Sequence, residues 1–175
     1  GDAITNTAHV SSTWQVLDAD AAFRVNPAYV VTPTAGVGGS ISPSTLQTVE
    51  HGSDITFTIA PDTGYHVADV LVDGGSVGAL TSYTFEDVAV DHTISAMFAL
   101  NEYTLTVSIV GQGDVTRAPS QTTYLYGEVV TLTALPASGW FFGQWSGEAG
   151  RTLTETTVTM DGHKSITATF LRRPP

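Results

Sequence analysis

Residues 51–65, HGSDITFTIAPDTGY, lie without a gap over residues 126–140, YGEVVTLTALPASGW. The overlay joins Gly52 to Gly127, Ile55 to Val130, Phe57 to Leu132, Pro61 to Pro136, Gly64 to Gly139 and Tyr65 to Trp140. Two flanking segments repeat as well. TISAMF (93–98) answers SITATF (165–170), and YVVTP from Tyr29 answers YTLTV from Tyr103. Shared spacing of Gly, Pro and apolar residues across three segments marks a duplication, so any fold proposed for one copy must also serve the other. The chain divides into a first module at 28–100, a second at 101–171, an N-terminal segment at 1–27 and a tail at 172–175.

Each copy reads as strands. Ile55, Phe57 and Ile59 point one way while Thr56 and Thr58 point the other, as a half-buried strand requires. Val130, Leu132 and Ala134 repeat the pattern, as do Tyr103, Leu105, Val107 and Ile109. In the closing strands Ile94, Ala96 and Phe98 share a face, matched by Ile166, Ala168 and Phe170. GVGGS, PDTG, VDGGS, GQGD, PASG and MDGH supply turns between them. No helical spacing of apolar residues is sustained for ten residues or more. The expected fold is all-β: two tandem modules of about five short strands each, preceded by an extended N-terminal strand segment. The connection ALNEY, near Leu100–Glu102, lacks Gly and Pro, which predicts a stiff, elongated pair.

Composition excludes several function classes. The net charge is −11 with one lysine, Lys164, so the surface repels phosphate backbones and offers no basic face to anionic lipids. Nucleic acid is not an expected partner, and no apolar run approaches the ~20 residues of a membrane span. The absence of cysteine removes disulfides, thiolate zinc sites and cysteine nucleophiles. The chain begins at Gly1 without a basic-then-apolar leader, which reads as a secretion signal removed or never present.

The first copy carries ISP (41–43), VEHGSDITFTIAPDTGYHVADVLVDG (49–74), SVG (76–78), SYTFEDV (82–88) and DHTISAMF (91–98); with these it resembles the bacterial repeat related to the B-repeat of listerial internalins. The second copy resembles the divergent branch of that family, through YGEVVTLTALPASGWFFGQWSG (126–147) and ITATF (166–170). The resemblance spans roughly residues 28 to 171. It implies compact β modules, grasp-like or Ig-like in size, strung together in secreted and cell-surface proteins of bacteria, and it brings no catalytic residues.

The densest aromatic cluster, GWFFGQWSG (139–147), is the strand after the Pro-containing turn of the second copy. A small module needs a few large buried side chains, each contributing about 2–3 kcal/mol. Phe57, Tyr65, Phe98, Leu132, Trp140, Phe142, Trp145 and Phe170 are therefore expected in the module cores. The alternative is a platform of coplanar rings for stacking on glycans, but the first copy has only Tyr65 in this region, so a duplicated sugar site is not evident.

Residues 1–27 match neither full module. Val10, Trp14 and Val16 share one face of an extended strand, and with Phe23 they need cover. The segment either packs on the first module or adds to the sheet of a neighbouring copy, an arrangement that does not close and would build a filament.

No chemistry is placed convincingly. The five histidines show no H-x-H or H-x-x-x-H spacing, GQWSG is not G-x-S-x-G and no helix follows it, and the Gly-rich GVGGS and GQGD lack a phosphate-binding Lys. The sequence predicts no enzyme, no metal and no cofactor. The expected role is structural, in a spacer, stalk or assembling subunit of a bacterial surface protein. Its partners would be other copies, neighbouring domains or glycans.

Overall fold

A computed structural model describes residues 26–147 and 152–174. Val10, Trp14, Val16 and Phe23 lie outside the described residues. The first module contains β1 (Ala28–Ala35), β2 (Gly39–Ser42), β3 (Gln47–Glu50), β4 (Ile55–Pro61), β5 (Tyr65–Val72), β6 (Gly75–Gly78), β7 (Ser82–Phe85) and β8 (His92–Leu100). The second contains β9 (Glu102–Tyr103), β10 (Leu105–Val110), β11 (Gly113–Ala118), β12 (Tyr124–Leu125), β13 (Val129–Pro136), β14 (Trp140–Gly147), β15 (Glu155–Thr159) and β16 (Lys164–Arg172). The described residues form no helix.

Each module is a sandwich. In the first, a sheet ordered β3-β1-β8-β5-β6 faces a sheet ordered β2-β4-β7, and the apolar faces of both meet in one core. In the second, β10-β16-β14 and the short pair β12-β9 face β11-β13-β15 across a separate core. The opening and closing strands of each module pair in parallel, Val31 opposite His92 and Leu105 opposite Lys164. Parallel neighbours cannot be joined by a tight turn, so the remaining strands of each module cross over between them.

The duplication extends to irregularities. β5 bulges between Val67 and Asp69 against β8, and β14 bulges at the equivalent place, between Phe142 and Gln144 against β16. In the first module the Asp69 carboxylate consolidates the bulge, accepting from the Val70 N–H at 2.8 Å, the Ser76 hydroxyl at 2.7 Å and the Gly78 N–H at 3.2 Å. The parallel pairs also start alike: the Val30 N–H donates to Asp91 Oδ1 at 2.8 Å, and the Thr104 N–H to His163 Nδ1 at 3.1 Å.

The strand count exceeds the expected five per module, because two- and four-residue strands such as β3, β6 and β12 are too short to show alternation. Ile109 also departs from expectation. It continues the alternation of β10 but is 43% exposed, since the strand runs past the edge of the core. The last strand reaches Arg172, one residue beyond the expected boundary at 171.

Candidate functional site

Two features stand out as places where this chain could act: the aromatic strand β14 and the junction between the modules. In β14 the bulge decides what each ring does. Trp145 is 2% exposed and its indole N–H donates to the Leu153 carbonyl at 2.9 Å, so its one polar atom is satisfied inside the core. Phe142 packs against Trp145 and Phe170, with ring centroids 5.1 and 5.8 Å away. Phe141 points outward and is 38% exposed.

The register shows why the second copy needs these rings. Relative to the matching bulges, Phe142 and Trp145 stand where the first module has Val67 and Val70, both buried. The opposite sheet compensates. Leu132 and Ala134 stand where the first module has Phe57 and Ile59, and Thr156 and Val158 stand where it has Tyr83 and Phe85. Thus Phe57, Phe85 and Tyr83 stack edge-on in the β2-β4-β7 sheet of the first module, whereas the large rings of the second lie in the other sheet. Close-packed cores conserve volume, so a ring gained on one face requires a smaller residue opposite.

Phe57, Leu132, Trp145 and Phe170 are buried. Phe98, Trp140 and Phe142 are half-buried and pack against the edges of the two cores, and Tyr65 is half-buried as well. Three of the four lie at the ends of the sandwiches, over glycines. A Cβ on Gly38 would strike the Tyr65 ring, one on Gly39 the Phe98 ring, and one on Gly111 would come within 2.9 Å of Trp140. Gly113, opposite Pro136 as Gly39 is opposite Pro61, likewise lies under Phe170. The Gly-rich loops GVGGS and GQGD are thus turns flattened to admit aromatic rings.

At the junction, Asn101 bonds both ways. Its N–H donates to the Gly64 carbonyl at 2.8 Å, and its own carbonyl accepts from the Tyr126 N–H at 2.8 Å. Its side-chain oxygen lies 3.0 Å from His66 Nδ1. The Tyr126 ring lies directly on Gly64, which has φ +84° and leaves no room for a Cβ. Backbone bonds on both sides, with a ring seated on the turn, tie the two modules at residues drawn from the β4–β5 turn, the linker and the β12–β13 turn.

A family model of the divergent InlB B-repeat domain matches residues 29–102 and again 103–174. The chain belongs to the divergent InlB B-repeat family. It is a bacterial, all-β tandem repeat. Comparison with the curated proteins and with the solved structures gives no match.

In the two B-repeats the remaining polar candidates serve local structure. His92 Nδ1 lies 2.7 Å from an oxygen of Asp73, whose other oxygen accepts from the Thr93 N–H at 2.8 Å. Burial pushes the Asp73 carboxyl up, but the Thr93 N–H and the His92 ring, by hydrogen bond and charge, bring it below the ordinary value. At the equivalent strand start Lys164 pairs with Asp161, which it holds below the usual carboxylate range. Ser146 of GQWSG lies within β14, and His51 stacks edge-on against Tyr29 with centroids 5.8 Å apart. Among the described residues no group of three His, Asp or Glu gathers as metal ligands would.

The junction makes a mutational prediction. Gly64→Ala and Gly139→Ala place a Cβ at equivalent turns with positive φ, +84° and +80°, so both incur about 1 kcal/mol of backbone strain. Gly139 has open space where Gly64 has the Tyr126 ring. Gly64→Ala should therefore also loosen the junction, raising amide exchange at Asn101 and Tyr126; Gly139→Ala should leave both amides protected. Equal exchange in the two variants would contradict the geometry.

Proposed function

We propose that this pair of B-repeats is a non-catalytic spacer in a bacterial cell-surface or secreted protein, working by holding its modules in a fixed relation. The observation that carries this reading is the Asn101 clasp, a linker residue whose backbone and side chain are all engaged with the flanking modules. A flexible tether would need no such engagement, and a swinging pair of domains would avoid it. The placement of the rings supports the same reading: the largest of them fill cores or cover glycine turns.

The test is a screen of immobilised full-length chain against bacterial cell-wall and host-surface polysaccharides, with light scattering of the chain with and without residues 1–25. The spacer role predicts no saturable glycan binding, and monomers in both samples. Binding abolished by Trp140→Ala in a protein that keeps its fold would replace the spacer with an adhesion module. Polymers that vanish with residues 1–25 would replace it with a filament subunit.

A further inference from the structure

The parallel strand pairs of the two modules open on the same backbone bond, made with different acceptors. In the first module the Val30 N–H donates to Asp91 Oδ1 at 2.8 Å; in the second the Thr104 N–H donates to His163 Nδ1 at 3.1 Å. These acceptors answer acid differently. A carboxylate keeps its charge and lone pairs until the pH nears about 4, whereas an imidazole takes up a proton at about 6.5 and then carries hydrogen on both nitrogens. A protonated His163 ring cannot accept from the Thr104 N–H.

His163 is placed to titrate without disturbing a core. It is exposed, at the end of the MDGH turn. The Tyr103 ring of β9 meets it edge-on with centroids 5.3 Å apart, and the Thr104 hydroxyl lies 2.9 Å from the same Nδ1. The charged groups around the turn have other partners or other directions. Asp161 and Lys164 pair with each other. Glu128, on the β12–β13 turn that bonds Met160, accepts from the Gln121 amide at 2.8 Å and from the Leu125 N–H at 3.1 Å. Glu102 is exposed and, by the alternation of β9, points away from the side of Tyr103. His92 of the first module differs in kind: its Nδ1 lies 2.7 Å from an oxygen of Asp73, to which the ring can donate in either protonation state.

We propose that His163 is an acid-sensitive latch on the segment by which the linker enters the second module. Thr104 follows the Asn101 clasp by way of Glu102 and Tyr103. While the ring is neutral, Thr104 is held on both sides: its N–H donates to His163, and its carbonyl accepts from the Lys164 N–H at 3.0 Å. Protonation makes Nδ1 a donor. The ring can then bond the Thr104 hydroxyl oxygen, but the backbone N–H loses its acceptor. The latch bond is therefore present above the imidazole range and lost as the pH falls through it. The first module has no counterpart, because a carboxylate still accepts over that range. The latch adds a control to the proposed spacer and rests on that reading for its consequence, a linker held less firmly in acid.

The test follows amide exchange at Thr104 and Val30 by NMR on the full-length chain at about pH 7.5 and about pH 5, each rate divided by that of an unstructured chain at the same pH. Protection at Thr104 should fall by about fivefold in acid, the loss of one backbone hydrogen bond, while that at Val30 changes by less than about twofold. His163→Asp installs the acceptor of the first module at an exposed position and should make the Thr104 response match that of Val30. Equal changes at the two amides of the unsubstituted chain would overturn the latch. So would a fall at Thr104 that persists in His163→Asp. The readout is one amide in a folded chain, so its failure would leave the spacer role to be decided by the glycan and scattering test.

Discussion

Trp145→Ala is expected to destabilise the second module by about 3–5 kcal/mol, the usual cost of deleting a large buried ring. The indole is 2% exposed, touches Phe142, and bonds the Leu153 carbonyl through its N–H. Truncation leaves a void between sheets whose facing residues, Leu132 and Ala134, are already the smaller partners. It also removes the hydrogen bond to the Leu153 carbonyl. Hydrogen exchange resolved by residue is the right measurement, because two modules need not unfold in one step. Protection should collapse in β13, β14 and β16 and persist in β4 and β8. A loss below about 1 kcal/mol, the range of surface substitutions, would mean the ring is not core.

The first module should respond in mirror image. Phe57 is fully buried and meets Phe85 edge-on with centroids 6.1 Å apart, so Phe57→Ala should likewise cost about 3–5 kcal/mol, confined to β4 and its neighbours. Exchanging residues between equivalent positions gives a sharper result. Phe57→Leu installs the residue of the second copy but leaves Val70 opposite, so it underpacks. Leu132→Phe installs the residue of the first copy against Trp145, so it overpacks at about 1–3 kcal/mol. Both should destabilise, although each is acceptable in the sister repeat. If both were neutral, the two cores would not be partitioning volume between their sheets as described.

This partition explains what was legible in the sequence. Strands β4, β8, β13 and β16 are long, half-buried and alternating, so their faces can be read from Phe57, Ile94, Leu132 and Ile166 directly. β14 is harder. Its bulge at Gly143 breaks the alternation, so period-two reading from Trp140 would place Phe142 inward and Trp145 outward; in the structure Trp145 is the more deeply buried. The same break lies in β5, where Ala68 precedes Asp69. The half-burial of Tyr65, Phe98 and Trp140 was signalled by glycines in GVGGS and GQGD, but only three-dimensional proximity links a ring to a distant turn. The junction was legible in outline, as a linker without Gly or Pro. Asn101 itself was not, because its role depends on backbone groups that every residue carries. The signal available was the pairing of Gly64 with Gly139 at repeat-equivalent positions, together with a ring at 126.

The repeats also show how one scaffold tolerates divergence. The Val30 N–H is met by Asp91 in one copy and the Thr104 N–H by His163 in the other. His92 with Asp73 is replaced by Lys164 with Asp161. In each case the backbone geometry persists while the side chains that satisfy it change. For the proposed spacer role this would be a sufficient specification, since shape is retained.

Residual dipolar couplings on the full-length chain test the central claim most directly, that the Asn101 clasp makes the two modules one body. The account predicts a single alignment tensor fitting amides of β4, β8, β13 and β16 together. Separate tensors of different magnitude for the two modules would contradict it.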